Sequence, residues 1–380
     1  MISRNLIFLF LPFVFCSCFP LSIDKLIDVD ENEDWLYIGG DLAKTNTSKS
    51  KSILNPPFTL YWQYDVDGGL AKNSLSVSDA ILFANTLNGE FYSIDINSGK
   101  SLGRTSTLGK SSYSTPLVFN NNIIIASSGD KKSKVFSYNL IKGAIQWERN
   151  VRWVESSPIL VNEDIVLSNT KGALYRLNAK SGGIIWKSGL KKSLFSFYTS
   201  PTISNNRIFL GSTDGNMYSY ELQSGKELWK YKTGASIFSD ASVNDGKIYF
   251  GSDDKNFYCI DTAGNLIWKK DLNTKFLSSS SFHKDIVITS GIDGNIYALN
   301  KNNGDVNWKF TTYGAIWASP LLQGNKIFIG SFDKNFYCLN AEDGNELWQY
   351  KCEGRIRTSA IVWKDYIFVA SDDKFIYCFK

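Results

Sequence analysis

Eight times along this chain an aromatic residue stands at one recurring place, and the spacing barely changes. The positions are Tyr92, Phe136, Tyr175, Tyr218, Tyr258, Tyr297, Tyr337 and Tyr377, separated by 44, 39, 43, 40, 39, 40 and 40 residues. A second element keeps the same beat, a glycine followed four residues later by tryptophan, at Gly143/Trp147, Gly182/Trp186, Gly225/Trp229, Gly264/Trp268, Gly304/Trp308 and Gly344/Trp348. A period of about forty residues that divides into four short strands is the signature of a β-propeller blade. The expected fold is therefore all-β, an eight-bladed propeller of four-stranded antiparallel blades. Length alone would allow two or three domains for 380 residues, but stacked repeats share one continuous core, so residues 58–380 read as one unit.

The strand order inside a repeat can be read directly. Ser156-Ser157-Pro158, Thr199-Ser200-Pro201 and Ala318-Ser319-Pro320 open the innermost strand. Asn205-Asn206, Asp245-Gly246 and Gly324-Asn325 turn it into the second, and Asp214-Gly215 and Asp293-Gly294 supply positive-φ residues for the next hairpin. The Tyr strand follows, then a Ser-Gly or Asn-Gly turn, then the outermost strand with its Trp. A large rigid ring in that place buries apolar area between neighbouring blades. The first repeat departs from this pattern, because Gly103 stands where Trp is expected, and a looser blade interface is predicted there.

The last repeat ends at Lys380 without a Trp strand, whereas Tyr61-Trp62-Gln63-Tyr64 near the start nearly duplicates Leu347-Trp348-Gln349-Tyr350. The economical solution is that the Trp62 strand completes the C-terminal blade. Pairing the two ends of the chain would close the ring and remove open sheet edges.

Ahead of the repeats lie two segments of different character. Residues 1–18 read as an export signal: Arg4, then an apolar run from Leu6 to Phe15 that is too short to span a bilayer, then Cys16, Ser17 and Cys18. A Cys just after such a run fits a lipoprotein signal, with Cys18 as the acylated residue and a plain cleaved signal as the alternative. Residues 19–57 begin acidic, become Ser/Thr/Lys-rich and end at Pro56-Pro57, the composition of a tether. The island from Trp35 to Asp41 is too apolar for free linker and is expected to dock on the propeller.

Strings such as GSTDGNMYSYELQSGKELWKYKTG (211–234) and GSFDKNFYCLNAEDGNELWQYKCEG (330–354) resemble the PQQ-type β-propeller repeat with its tryptophan-docking motif. The resemblance covers about residues 58–380. It implies either of two branches, the quinoprotein dehydrogenases or the non-catalytic envelope lipoproteins typified by BamB, which act as scaffolds in outer-membrane β-barrel assembly. An exported, lipidated chain that is nearly all propeller looks more like the second.

The dehydrogenase branch makes demands on the residues. Its quinone stacks on a ring made by two adjacent cysteines, and no Cys-Cys pair is present. A Ca²⁺ needs roughly six to eight oxygen ligands, yet Asp214, Asp254, Asp293, Asp333 and Asp373 each occupy the same turn of successive repeats, which hairpin chemistry explains. The single histidine, His283, falls at a hairpin. Cys259, Cys338 and Cys378 each follow the repeat Tyr, where a small buried side chain is wanted, and Cys352 is the one cysteine of the repeats off that pattern. No catalytic residue, cofactor or metal is expected. A net charge of +4 without a clustered basic stripe argues against nucleic acid.

A scaffold needs surface instead. Aromatic and basic residues that break the repeat are Trp153, Phe195, Phe197, Tyr198, Trp317, Arg355 and Arg357, all at connections between blades on one face. Such residues are enriched in binding hot spots, and packing between blades is the alternative use for them. The expected role is a monomeric propeller bound to envelope proteins, an outer-membrane assembly β-barrel among them, on the periplasmic side of the outer membrane. The runner-up is a quinoprotein or a binder of small ligands or carbohydrate.

Overall fold

In every blade the two middle strands are apolar on both faces because each is stacked between two neighbouring blades. Ile208, Phe209 and Leu210 on one, and Met217, Tyr218 and Tyr220 on the next, are buried without a polar face. The outermost strand (Glu227–Lys232) alternates between exposed and half-covered, as a strand with only one sheltered side should. The computed structural model describes residues 21–106, 111–128, 133–190 and 195–380; the export signal with Cys16 and Cys18 lies outside the described residues. The described residues form eight four-stranded sheets in which every strand pair is antiparallel; seven are simple meanders, and the last takes its outer strand from the start of the repeats. We number the blades 1 to 8 in chain order, from Leu75–Ser106 to Ile361–Phe379 with Leu60–Asp65, blade 4 being Thr202–Lys232, and name the strands of each A to D from the centre outward.

Local chemistry sets the turns. The A–B hairpin of blade 4 turns through Asn205 and Asn206 with φ of 47° and 60°, the left-handed pair that a two-residue hairpin requires. Each C–D pairing carries a register irregularity, beside the tryptophan wherever one is present; in blade 4 Ser219 pairs with Trp229 and Tyr220 with Glu227, skipping Leu228. The bulge turns the Trp ring toward the next blade. There Trp147, Trp186, Trp229, Trp268 and Trp308 donate Nε1–H to Ala179, Leu222, Thr262, Lys301 and Ala341 carbonyls at 2.9–3.1 Å. The ring lies on the turn glycine of that next blade. A Cβ on Gly182 would fall 2.4 Å from the Trp147 ring, and its φ is 65°, so no other residue type fits. This contact explains why glycine and tryptophan keep one spacing: the two belong to successive junctions of one ring.

The ring closes through the chain ends. Strand Leu60–Asp65 pairs antiparallel with Phe375–Phe379, and Trp62 donates to Ile96 O at 2.7 Å across the junction with blade 1. Trp348 sits at the other side of blade 8, edge-on to Phe58 at 5.2 Å and Phe379 at 5.4 Å.

Two expectations require correction. The junction after blade 1, lacking its Trp, is not loose. Leu21 and Ile23 of the N-terminal segment fill the place, and both are buried. A Cβ on Gly103 would lie 3.0 Å from Leu21 Cδ1. Ile23 N–H donates at 2.8 Å to Leu140 O, at the same turn of blade 2 whose counterparts elsewhere accept Trp Nε1–H. Tyr138 OH donates to Leu21 O at 2.8 Å. The second correction follows from the first: contact with the propeller begins well before the Trp35–Asp41 island and continues beyond it, so the segment is a docked strap. Leu21→Ala is expected to weaken this junction by about 2–5 kcal/mol. Amide exchange should then speed up in Ser101–Ser106 and Lys134–Asn139 and stay unchanged in blades 4 to 6. Uniform protection throughout would show that the strap does not hold the junction.

Candidate interaction face and the filled channel

Blades converge on a ring of small polar side chains, one just ahead of each A strand. Thr115, Ser157, Ser200, Asp240, Ser279, Ser319 and Ser359 occupy it in blades 2 to 8. Thr115 N–H donates to Ser157 Oγ and Ser157 N–H to Ser200 Oγ, both at 2.9 Å, and Ser200 N–H donates to Asp240 Oδ1 at 2.7 Å. On the other side Ser279 N–H reaches Ser319 Oγ and Ser319 N–H reaches Ser359 Oγ, at 3.1 and 2.9 Å. The backbone donors left over at the narrow centre are thereby paired with neighbours' hydroxyls.

Asp240 is the carboxylate in this girdle, and it is buried. A buried carboxylate needs a partner. Lys44, from the strap, supplies one: its fully buried ammonium lies 3.4 Å from Asp240 Oδ2 and donates to Ser200 O at 2.6 Å. Burial pushes the Lys44 pKa down to about 8 against the opposing pull of Asp240. Lys72, ahead of the first A strand, reaches across the centre to donate to Leu277 O, and burial lowers its pKa too.

The strap also satisfies the inner edges of the A strands. Val77, Ile203, Val243 and Leu322 N–H groups donate to Trp35, Leu42, Ala43 and Asn46 carbonyls at 2.7–3.0 Å. Asn46 Nδ2 donates to Ser279 Oγ and Ser280 O, both at 2.9 Å. Asp34 accepts from Ser78 Oγ and Trp363 Nε1 at 2.7 and 3.0 Å, and desolvation raises its pKa. An unpaired inner edge is a template for another strand; here the chain covers it with its own residues. Docking of the Trp35–Asp41 island was expected from the sequence; the edge pairing by Leu42, Ala43 and Asn46 and the Lys44–Asp240 pair were not, although Asp240 interrupting a column of Ser and Thr was a readable signal.

The opposite face, built from the D-to-A connections and B–C turns, carries the surface residues. Trp317 and Phe332 rings lie 4.9 Å apart, with the Arg355 guanidinium 5.3 Å over Phe332 and that of Arg357 5.5 Å over Trp317. Both guanidinium groups share one carboxylate, Asp372, through Arg355 Nε at 3.0 Å and Arg357 Nη2 at 2.7 Å. The cluster is therefore aromatic and carries more positive than negative charge. Phe332, in a B–C turn, was not singled out by sequence reasoning.

The remaining candidates sit on other connections. Trp153 is half-buried at φ 64° with Lys171 Nζ 4.9 Å over its ring. Phe195 and Tyr198 are exposed, and Tyr198 leans on Phe238 at 5.6 Å. Phe197 differs. It is fully buried against Tyr218 and Tyr220, so it belongs to the packing of blade 4 rather than to the surface.

The acids of the B–C turns have a local use: Asp214, Asp254, Asp293 and Asp333 accept the hydroxyls of Tyr218, Tyr258, Tyr297 and Tyr337 at 2.6–2.7 Å. His283 ends an A strand with Nε2 3.7 Å from Glu342 Oε1. Cys259, Cys338, Cys352 and Cys378 are buried free thiols, and burial pushes those of Cys259 and Cys338 up to about 12. Among the described residues no three His, Cys, Asp or Glu side chains come together to hold a metal ion.

The profile of the family described as outer membrane protein assembly factor BamB matches residues 59–261 and again 170–380. The chain belongs to the BamB family. No curated protein sequence matches it. Among solved structures, BamB from Moraxella catarrhalis superposes with a TM-score of 0.72 at 15% identity, covering 85% of this chain and 99% of that one. The quinohemoprotein alcohol dehydrogenase from Comamonas testosteroni superposes at 0.77 with 11% identity, covering 92% of this chain and 81% of the enzyme. The computationally designed protein Ika8 reaches 0.71 at 15% identity, over 83% of this chain and 98% of that one. BamB, the enzyme and the design share a fold with this chain; the family membership comes from the profile.

Proposed function

We propose that this BamB-family chain is a non-catalytic scaffold of the cell envelope, held by a lipid on Cys18, that assists outer-membrane protein assembly through protein–protein contacts. The observation that carries the reading is the Trp317–Phe332–Arg355–Arg357 cluster. It offers apolar rings and guanidinium groups on an open face, the composition of a binding hot spot. An acidic or aromatic segment of an envelope partner suits it. The family's role as an outer membrane protein assembly factor supports the same direction.

A quinone-dependent dehydrogenase is the competing reading, suggested by the fold shared with the Comamonas testosteroni enzyme. It meets two obstacles in this chain. No two cysteines are adjacent, and the centre of the propeller is taken up by Lys44, Asn46 and Lys72 of the chain itself.

The test is affinity purification from detergent-solubilised envelopes, comparing the native chain with R355E/R357E. A β-barrel assembly protein should accompany the native chain in near-stoichiometric amount. Its yield should fall by about thirtyfold in the variant, the equivalent of a strong hot spot. Equal recovery with both would remove the cluster from the interface. An unaccompanied native chain would turn attention to small ligands, with a quinone titration next.

A further inference from the structure

The strap does more than cover edges; it determines where the N-terminal end of the chain leaves the propeller. Leu21 and Ile23 are buried at the outer rim between blades 1 and 2, in the place that Trp fills at other junctions. Ser22 Oγ adds a bond to Ile141 O at 3.1 Å, and Lys25 pairs with Asp79 at 2.9 Å. From this rim the segment runs inward, with Ile27 N–H donating to Asn121 Oδ1 at 2.6 Å, toward Trp35 and the centre. The emergence point is thus held by side-chain burial and hydrogen bonds on both sides.

Cys18 precedes Leu21 by three residues. Three residues span at most about 11 Å even when fully extended. We propose that the rim between blades 1 and 2 is the membrane-facing surface of this protein, with a lipid bilayer as its occupant; the inference rests on the acylation of Cys18 proposed above. A conventional flexible tether would let the propeller turn freely over the bilayer. Here the docked strap leaves too little chain for that. The surface around the emergence point carries exposed apolar side chains suited to an interfacial zone, Leu26 at 72% exposure, Leu102 at 40% and Ile141 at 37%, among charges of both signs, Lys142 and the Asp79-paired Lys25 beside Asp24 and Asp28. The Trp317–Arg355 cluster belongs to blades 6 to 8. It sits around the junction of blades 7 and 8, separated from the anchored rim by blades 8 and 1.

The experiment uses the full lipidated chain bound to phosphatidylcholine–phosphatidylglycerol vesicles. Single reporter cysteines replace Leu102 or Ile141 at the rim, or Leu228 or Leu266 on blades 4 and 5, residues of similar exposure. The native thiols in the described residues are buried, so an environment-sensitive maleimide goes to the introduced site. Headgroup spin-labelled lipid should quench the L102C and I141C probes several-fold more than the L228C and L266C probes. Adding L21D to the rim reporters should erase that contrast while co-sedimentation with vesicles persists. Equal quenching at all four sites in vesicle-bound protein would overturn the orientation and leave the anchor intact. Failure to co-sediment would overturn the anchor, and the orientation with it.

Discussion

Lys44→Met is expected to destabilise the propeller by about 3–5 kcal/mol, because it strands the Asp240 carboxylate in a buried girdle. Asp240→Ser alone should also destabilise it, leaving the Lys44 ammonium buried with only Ser200 O to accept from it. The double variant K44M/D240S should recover most of the loss. Serine is what Ser157, Ser200, Ser279, Ser319 and Ser359 already provide at the equivalent place, and methionine fills the lysine's volume without a charge. Denaturant midpoints for the four proteins of the cycle decide the matter. A double variant no more stable than D240S would mean that the pair is not the coupled unit the geometry indicates.

The same lysine gives the pair a pH signature of definite sign. Its folded pKa is held down at about 8 by burial, whereas a lysine in the unfolded chain titrates near 10.4. Between these values the unfolded chain binds more protons, so stability should rise with pH from about 8 and level off near 10.4. Above about pH 10 the C-strand tyrosines bonded to the B–C turn acids act in the opposite sense. Burial and their Asp partners raise their pKa values, as for Tyr218 and Tyr258, so the unfolded chain ionises first and stability falls. The rise between pH 8 and 10 should therefore be smaller in K44M/D240S, with buried Lys72 supplying what remains. A native chain with a flat profile over that window would show that the Lys44 proton is not linked to folding.

Deleting Phe58–Val66 is the other change expected to have a large effect. It removes the outer strand of blade 8, the Trp62 bond to Ile96 O and the Phe58 wall of the Trp348 cage. The exposed edge of Phe375–Phe379 would then be a template for another chain, and the product should be oligomeric or insoluble. A milder version is Trp62→Ala, for which a loss of about 3–5 kcal/mol follows from emptying the site of a large ring. Size-exclusion chromatography with thermal unfolding reads both. A soluble, cooperatively unfolding monomer from the deletion would refute closure by the chain ends as the source of stability.

The candidate surface was partly legible in advance. Trp317, Arg355 and Arg357 stood out because they break a regular repeat, and the fold brings them together with Phe332 and Asp372. Phe197 belonged to the same run as Phe195 and Tyr198, yet it faces the core of blade 4. Exposure in an irregular connection depends on which way each residue turns, and an irregular connection has no period from which that can be read.

The amino-acid sequence by itself determined the blade count, the turn positions, the tryptophan junctions and closure by the Trp62 strand. All of these rest on short-range patterns repeated at about forty residues, and repetition averages away local noise. Only the tertiary structure decided that Leu21 and Ile23 replace the missing tryptophan beside Gly103, that the strap lines the inner strands, and that Lys44 neutralises Asp240. These contacts join residues 117 apart at Tyr138–Leu21, 156 apart at Lys44–Ser200 and 234 apart at Asn46–Ser280. The strap has no repeat of its own. Its path was set by the unpaired edges, the vacant apolar junction and the buried carboxylate that the finished ring presents, and those exist only once the blades have come together.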